Sequence, residues 1–341
     1  MAIFSNPPVH VPKDIAVKAL LNAHWAEFRL EHINAPAGVE RKISETGLYR
    51  PGLALAGHTE FFSSQKIQVC GNTEIYYLRS LKPAAQLTAF ERLTRHEVPC
   101  IIVTNNLDLP PELLQSAGER NIAVLSSPLD TTDTSRLLSE FLDGQFAPRT
   151  TVHGSFVDVY GAGLLFTGRS GIGKSEIVLD LIERGHRLVS DDAVMLTRKR
   201  EDILIGTAGG PAKHFMEIRG LGIIDVRQMF GMRAIRFQKR LEIIVELEEW
   251  DPAAEYTRTG LDLGKQKVLG VDISAVKLPI FPGKNVTVIA ESIALNYLLR
   301  AYGYDAAQEF SNRLQAEIAR KTRGDGGASE RANPYFDNDY E

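Results

Sequence analysis

The eight residues Gly168, Arg169, Ser170, Gly171, Ile172, Gly173, Lys174 and Ser175 satisfy the spacing G-x-x-x-x-G-K-[ST]. Each residue type has a chemical reason in a phosphate-binding loop. Glycines let the backbone bend tightly around an anion and turn its N–H groups inward. The N-terminus of a following helix adds partial positive charge where phosphates would sit. Lys174 would neutralise the β- and γ-phosphates, and the Ser175 hydroxyl would ligate Mg²⁺. A Gly-rich turn between strand and helix is the plain alternative. The flanking pattern, a strand over 164–167 and a helix over 174–184, favours a nucleotide site.

Two further features could carry chemistry beside the loop. Arg187–Ser190 reads as a short strand, and Asp191 and Asp192 follow it. A carboxylate at the C-terminal end of a strand near a phosphate loop can hold metal or accept a proton. Two adjacent residues alternate faces if the strand continues, so one of the pair is expected to point into the site. His153 precedes the first strand of the same region, where a lone histidine is most often structural.

These groups need a sheet to position them. Ser155–Tyr160, Leu164–Thr167 and Arg187–Ser190 read as strands. Leu241, Ile243, Val245 and Leu247 alternate with period two, which predicts a half-buried strand. Val286–Ala290 reads as another strand, followed by helices over 291–302 and 305–321. On the last helix Phe310, Leu314 and Ile318 form an apolar stripe, expected to pack into the core or to contact another subunit. Upstream, a helix is expected over 13–23, then strand 99–103, a helix opened by Pro110 and Pro111, and strand 122–125. This strand–helix–strand unit suggests a parallel α/β layer. Thr131, Thr132 and Asp133 are read as the cap of a further helix ending near Gly144.

The expected organisation is an N-terminal α/β domain over 1–146, then an α/β kinase domain containing the phosphate loop over 147–322. Residues 323–341 read as a disordered acidic tail.

Composition sets the outer limits. The chain has 341 residues, 39 basic against 43 acidic side chains and a formal charge of −4, which argues against a broad nucleic-acid surface. Its two cysteines, Cys70 and Cys100, lie in apolar runs and read as buried reduced thiols, so a disulfide scaffold is excluded. No apolar run reaches membrane-spanning length and no signal pattern opens the chain; a cytoplasmic protein without a membrane partner is expected.

Further stretches join the loop into a recognisable whole: VHGSFVDVYGAGLLFTG (152–168), RGHRLVSDDAV (184–194), HFMEIRGLGIIDV (214–226) and PIFPGKNV (279–286). Together with TGLYRPGLALAG (46–57) and KIQVCGNTE (66–74), the chain resembles the HPr kinase/phosphorylase family, whose members act on a serine of the phosphocarrier HPr. The resemblance implies phosphorylation of HPr with ATP, or pyrophosphate, as donor and Mg²⁺ as cofactor. It also implies dephosphorylation by inorganic phosphate with release of pyrophosphate, in a homohexamer. On the same ground Asp192 would exchange the proton, Glu217 would join Ser175 on Mg²⁺, and His153, Lys174 and Arg258 would be catalytic. Met216, Glu217, Ile218, Arg219, Gly220, Leu221, Gly222, Ile223, Ile224 and Asp225 would serve both reactions. Pro279, Ile280, Phe281, Pro282, Gly283 and Lys284 would serve dephosphorylation. Arg169, Phe281 and Lys284 depart from the family's usual pattern, at positions where phosphate groups are handled. A phosphate-loop kinase of a small metabolite, or a nucleotide-sensing regulator without turnover, would carry the same loop.

Overall fold

The computed structural model describes residues 8–22, 29–199, 202–210, 213–251, 264–281, 283 and 285–322. Two compact units meet in the chain between Arg149 and Thr150. Arg258, Pro282, Lys284 and the tail after residue 322 lie outside the described residues.

The first unit opens with β1 (Ile15–Ala16), α1 (Lys18–Asn22), β2 (Glu31–His32), β3 (Lys42–Ile43) and β4 (Leu48–Tyr49). It continues through α2 (Gly52–Ala56), β5 (Ile67–Cys70), α3 (Asn72–Ser80), α4 (Pro83–Thr94), β6 (Cys100–Val103), α5 (Pro111–Glu119), β7 (Ala123–Ser126) and α6 (Thr131–Phe146). Its main sheet has the order β2-β7-β6-β5-β4, with β4 to β7 parallel and β2 antiparallel at one edge. The three inner strands are nearly continuous apolar runs because both of their faces are covered. Leu55, Phe90, Leu93 and Leu113 cover one face, and Val17, Leu138 and Leu142 cover the other. Cys70 and Cys100 are free and buried, and burial pushes the Cys100 thiol up to about 12.

Two local expectations need correction here. The segment expected as a helix over 13–23 spends its first part on β1, paired with β3, and α1 starts only at Lys18. The cap of α6 is Asp130, whose carboxylate accepts from Asp133 N at 2.8 Å, and the helix runs through Gly144 to Phe146.

The second unit contains β8 (Arg149–His153), β9 (Ser155–Val159), β10 (Ala162–Thr167), α7 (Lys174–Glu183), β11 (Arg187–Ser190), β12 (Ala193–Lys199) and β13 (Ile203–Ala208). The hairpin β14 (Phe215–Ile218) and β15 (Gly222–Asp225) follows, then α8 (Val226–Phe230), β16 (Gln238–Arg240), β17 (Ile243–Glu249), β18 (Gly264–Val268), β19 (Val271–Ile280), α9 (Val286–Ala301) and α10 (Ala306–Thr322). A six-stranded sheet has the order β11-β9-β10-β17-β19-β18. Helices α7 and α9 pack on one face through Val178, Leu181, Ala290 and Ile293. A four-stranded sheet, β16-β13-β12-β8, packs on the other through Leu196 and Leu204.

This layering explains three departures from the expected elements. Strand β17 is central, so Ile243, Val245 and Leu247 meet the helices while Ile244 is equally buried against the second sheet. Leu241 precedes the strand and joins that second core, and the strand is buried on both faces over Ile243–Val245 before its end opens at Glu249. Val286–Ala290 is the first part of helix α9, capped by Asn285 Oδ1 accepting from Val288 N at 3.1 Å. Its β-branched run resembles a strand, but burial against the sheet overrides that weak preference. The α10 stripe is not core: Phe310, Leu314 and Ile318 are 67%, 50% and 54% exposed.

A buried carboxylate ties α9 to the chain around α7. Glu291 accepts from Arg184 Nε at 2.9 Å and Nη2 at 2.6 Å, and faces His186 Nε2 at 3.0 Å. The Arg184 hydrogen bonds hold its carboxyl down to about 2 against the opposing effect of burial. A depressed carboxyl stabilises the fold above its unfolded pKa and loses that contribution as pH falls through the folded one. Urea titrations of the natural chain and Glu291→Gln should therefore show a constant stability gap from neutral pH down to about 4.5, closing towards about 2. A gap independent of pH throughout that window would contradict the assignment.

Candidate active site

Strand β10 ends at Thr167, and the phosphate loop turns directly into α7. Gly168 has φ +146°, and a methyl there would lie 2.8 Å from the Leu247 carbonyl oxygen, so the loop hugs the neighbouring strand β17. Gly171 has φ +78°, and the Arg219 guanidinium lies over it, leaving no room for a Cβ. These two glycines let the loop take a left-handed course beneath a cationic side chain.

Lys174, the first residue of α7, is buried, and its Nζ donates to the carbonyls of Gly168 and Arg169 at 3.1 Å each. Burial lowers its pKa, while the charges of Asp191, Asp192 and Glu176 work to raise it. Arg169 does not turn inward; it pairs with Glu249 at the end of β17. Ile172 packs against the apolar core beneath the loop.

The two aspartates differ in environment. Strand β11 runs antiparallel to β9, which runs antiparallel to β10, so β11 ends at the same edge as the phosphate loop. Asp191 is 6% exposed. It accepts from Ser155 Oγ at 2.5 Å and from Ser175 Oγ at 2.9 Å. Burial pushes its carboxyl above the usual carboxylate range, partly offset by the two serine hydroxyls. Asp192 has a 77% exposed side chain and stands 2.9 Å from His153 Nδ1. Its φ of +67° breaks the alternation of the strand, so both carboxylates line the cleft and the expectation of a single inward aspartate is corrected.

The cleft measures about 200 Å³ and includes His153, Ser155, Ser170, Lys174, Ser175, Asp191, Asp192, Glu217 and Arg219 in its lining. Within the segment 216–225, the hairpin register sends alternate residues to different tasks. Met216, Ile218 and Ile224 are buried in the core, Glu217 and Arg219 line the cleft, and Asp225 caps α8 through Gln228 N at 3.0 Å. In the segment 279–284, Pro279 and Ile280 end β19, and Phe281 packs edge-on against Trp250 with ring centroids 5.2 Å apart. Among the described residues no three His, Cys, Asp or Glu side chains gather as a metal cluster. Mg²⁺ in phosphoryl transfer needs only one or two carboxylates beside phosphate oxygens. The Ser175–Asp191 pair, with Glu217 in the same cleft, is a hard-oxygen set that fits such an ion.

Asp191 and Ser155 are the site residues that sequence reasoning left without a role. The adjacent Asp-Asp pair signalled the first; nothing in the local pattern singled out the serine.

Known proteins give a consistent picture. The family description HPr Serine kinase N terminus matches residues 15–142, and HPr Serine kinase C-terminal domain matches 144–314. A curated protein of Chloroherpeton thalassium named HPr kinase/phosphorylase is 51% identical over 336 residues, covering 96% of this chain and 98% of its own. A protein of the same name from Prosthecochloris aestuarii is 46% identical over 316 residues, 92% of each chain. The solved Hpr(Ser) kinase/phosphatase from Coxiella burnetii is 33% identical and covers 47% of this chain and 98% of that one, with a TM-score of 0.43.

Proposed function

This chain belongs to the HPr kinase/phosphorylase family, and from that membership we infer that it is a bifunctional enzyme. It uses ATP to phosphorylate a serine of HPr, and it removes that phosphoryl group by phosphorolysis. The relatives named for HPr give no support to a metabolite kinase or to a regulator without turnover.

The observation that carries the residue assignment is the contrast between the two aspartates. Both oxygens of Asp191 are held by serine hydroxyls, which suits it to positioning Ser175. Asp192 faces the open cleft with His153 at its side, which suits it to meeting a substrate hydroxyl. In phosphorylation the serine oxygen attacks the γ-phosphorus, its proton passes to the Asp192 carboxylate, and ADP departs. In phosphorolysis an oxygen of inorganic phosphate attacks the phosphorus of phosphoserine. Protonated Asp192 returns its proton to the leaving serine oxygen, and pyrophosphate forms. One residue serving both directions is what microscopic reversibility requires.

His153 orients Asp192, and Lys174 and Arg219 offset negative charge over the loop. Mg²⁺ held by Ser175, Asp191 and Glu217 would neutralise phosphate oxygens when bound. Arg258 and the segment Pro279–Lys284 keep their proposed parts in catalysis and dephosphorylation, although Arg258, Pro282 and Lys284 lie outside the described residues. Pyrophosphate is the proposed alternative donor.

Exposed Leu221 and Ile223 on the hairpin that carries Glu217 and Arg219 support a protein rather than a small-molecule substrate. The exposed α10 stripe supports the homohexamer, and the chain-wide charge of −4 gives nucleic acid no broad surface. No described helix is long and apolar enough to cross a membrane, and the cytoplasm is the proposed compartment.

The test is an assay with purified HPr. ATP and Mg²⁺ should label one serine, and inorganic phosphate should then release that label as pyrophosphate. Failure of folded protein to transfer phosphate to HPr from either ATP or pyrophosphate would overturn the reading.

A further inference from the structure

Two of the groups that would meet the reacting end of the donor, Asp191 and Asp192, stand on the β11 side of the phosphate loop. Asp191 and Asp192 follow β11, and Glu217 lies on β14. In the sheet order β11-β9-β10-β17-β19, the loop follows β10. A donor whose terminal phosphoryl group lies at Asp192 therefore extends its other end across the loop towards β17 and β19.

An aromatic pair stands at the ends of those two strands. Trp250 follows β17, Phe281 follows β19, and Trp250 N donates to the Ile280 carbonyl at 3.1 Å. Their rings meet edge to face at 62°, and they remain 44% and 39% exposed. Glu249, immediately before Trp250, pairs with Arg169 of the loop, which links the aromatic pair to the phosphate site. Thr167 lies level with Glu246 in the β10–β17 register. Trp250 thus follows a strand next to the loop's own, about 4.8 Å away, and stands roughly 13 Å farther along the strand direction at ~3.3 Å per residue.

We propose that Trp250 and Phe281 form the surface on which the nucleobase of the phosphoryl donor stacks. The proposal rests on the reading of the loop as a nucleotide site. Every base has a π-face, so stacking on an exposed ring adds affinity without reading base identity. Donors without a base, such as pyrophosphate, fill the phosphate loop and do not reach the pair. The pair thereby sets how strongly the protein prefers a nucleotide over a bare polyphosphate.

The test is calorimetric binding of ADP and of tripolyphosphate, each with magnesium chloride, to the full chain, Trp250→Ala and Trp250→Phe. Loss of one stacking partner is worth about five- to 150-fold in affinity. Trp250→Ala should weaken ADP by a factor in that range with tripolyphosphate affinity held, and Trp250→Phe should recover most of the loss. Retained tripolyphosphate binding also reports that the variant is folded around its loop. Parallel weakening of both ligands, or unchanged ADP affinity, overturns the stacking role alone. Failure of ADP to bind the natural chain overturns it together with the nucleotide reading of the loop.

Discussion

Asp192→Asn should lower the rates of phosphorylation and phosphorolysis together, each by about a hundred- to ten-thousandfold, the usual contribution of a positioned general acid–base group. Asparagine keeps the size of the side chain and its reach to His153, but it cannot take the serine proton or hold one to return. Asp192 is exposed, so the fold should hold, and losing its charge from beside Lys174 should leave nucleotide affinity no weaker. Initial rates with HPr and ATP, and with phosphorylated HPr and inorganic phosphate, measure the two directions. A variant that loses one direction and keeps the other would show that Asp192 is not the shared proton carrier. Asp191→Asn tests the other half of the division: it disturbs the acceptor of the Ser155 and Ser175 hydroxyls, so its main effect should be on magnesium dependence.

Lys174→Ala should depress kcat by about a hundred- to thousandfold, the scale for removing one preorganised group from a charge that develops in the transition state. Nucleotide binding should weaken with it, since the phosphates lose a buried cationic partner. The ammonium sits between the carbonyls of Gly168 and Arg169, a placement suited to a compact charge. Lys174→Arg should therefore fail to restore activity, because a planar guanidinium needs more room and points its donors differently. The readout is kcat and KM for ATP, with calorimetric binding of ADP as a separate measure. Full activity in Lys174→Ala would overturn the assignment of the loop.

Much of the site was legible because it is local. The phosphate loop is eight consecutive residues between a strand and a helix, and both neighbours appear in the structure where the pattern places them. The apolar runs at 99–103 and 122–125 were legible as strands of a parallel layer for the same reason, and they form Cys100–Val103 and Ala123–Ser126. Misreadings arose where distant packing outweighed a local preference. Val286–Ala290 carries a β-branched run, yet a cap at Asn285 and burial of Val286, Ala290 and Ile293 against the sheet make it helical. Strand β17 shows period-two alternation, but its second face is covered by a sheet whose strands come from elsewhere in the chain.

The amino-acid sequence by itself determined the chemistry on offer: a phosphate loop, a lysine and a serine at its end, and two carboxylates after a nearby strand. Those depend on residue types at short spacing, which bond geometry translates directly into position. The motifs around the loop determined the family as well. Only the tertiary structure decided how the two carboxylates divide. Neighbours in sequence, they differ because Ser155, 36 residues earlier in the chain, and Ser175 hold the first in the interior, while a left-handed backbone turns the second into the cleft beside His153. The tertiary structure also brought Arg219 over Gly171 and Trp250 against Phe281. Such contacts depend on sheet order and strand register, which arise from the packing of the whole unit and leave no spacing in the sequence to read.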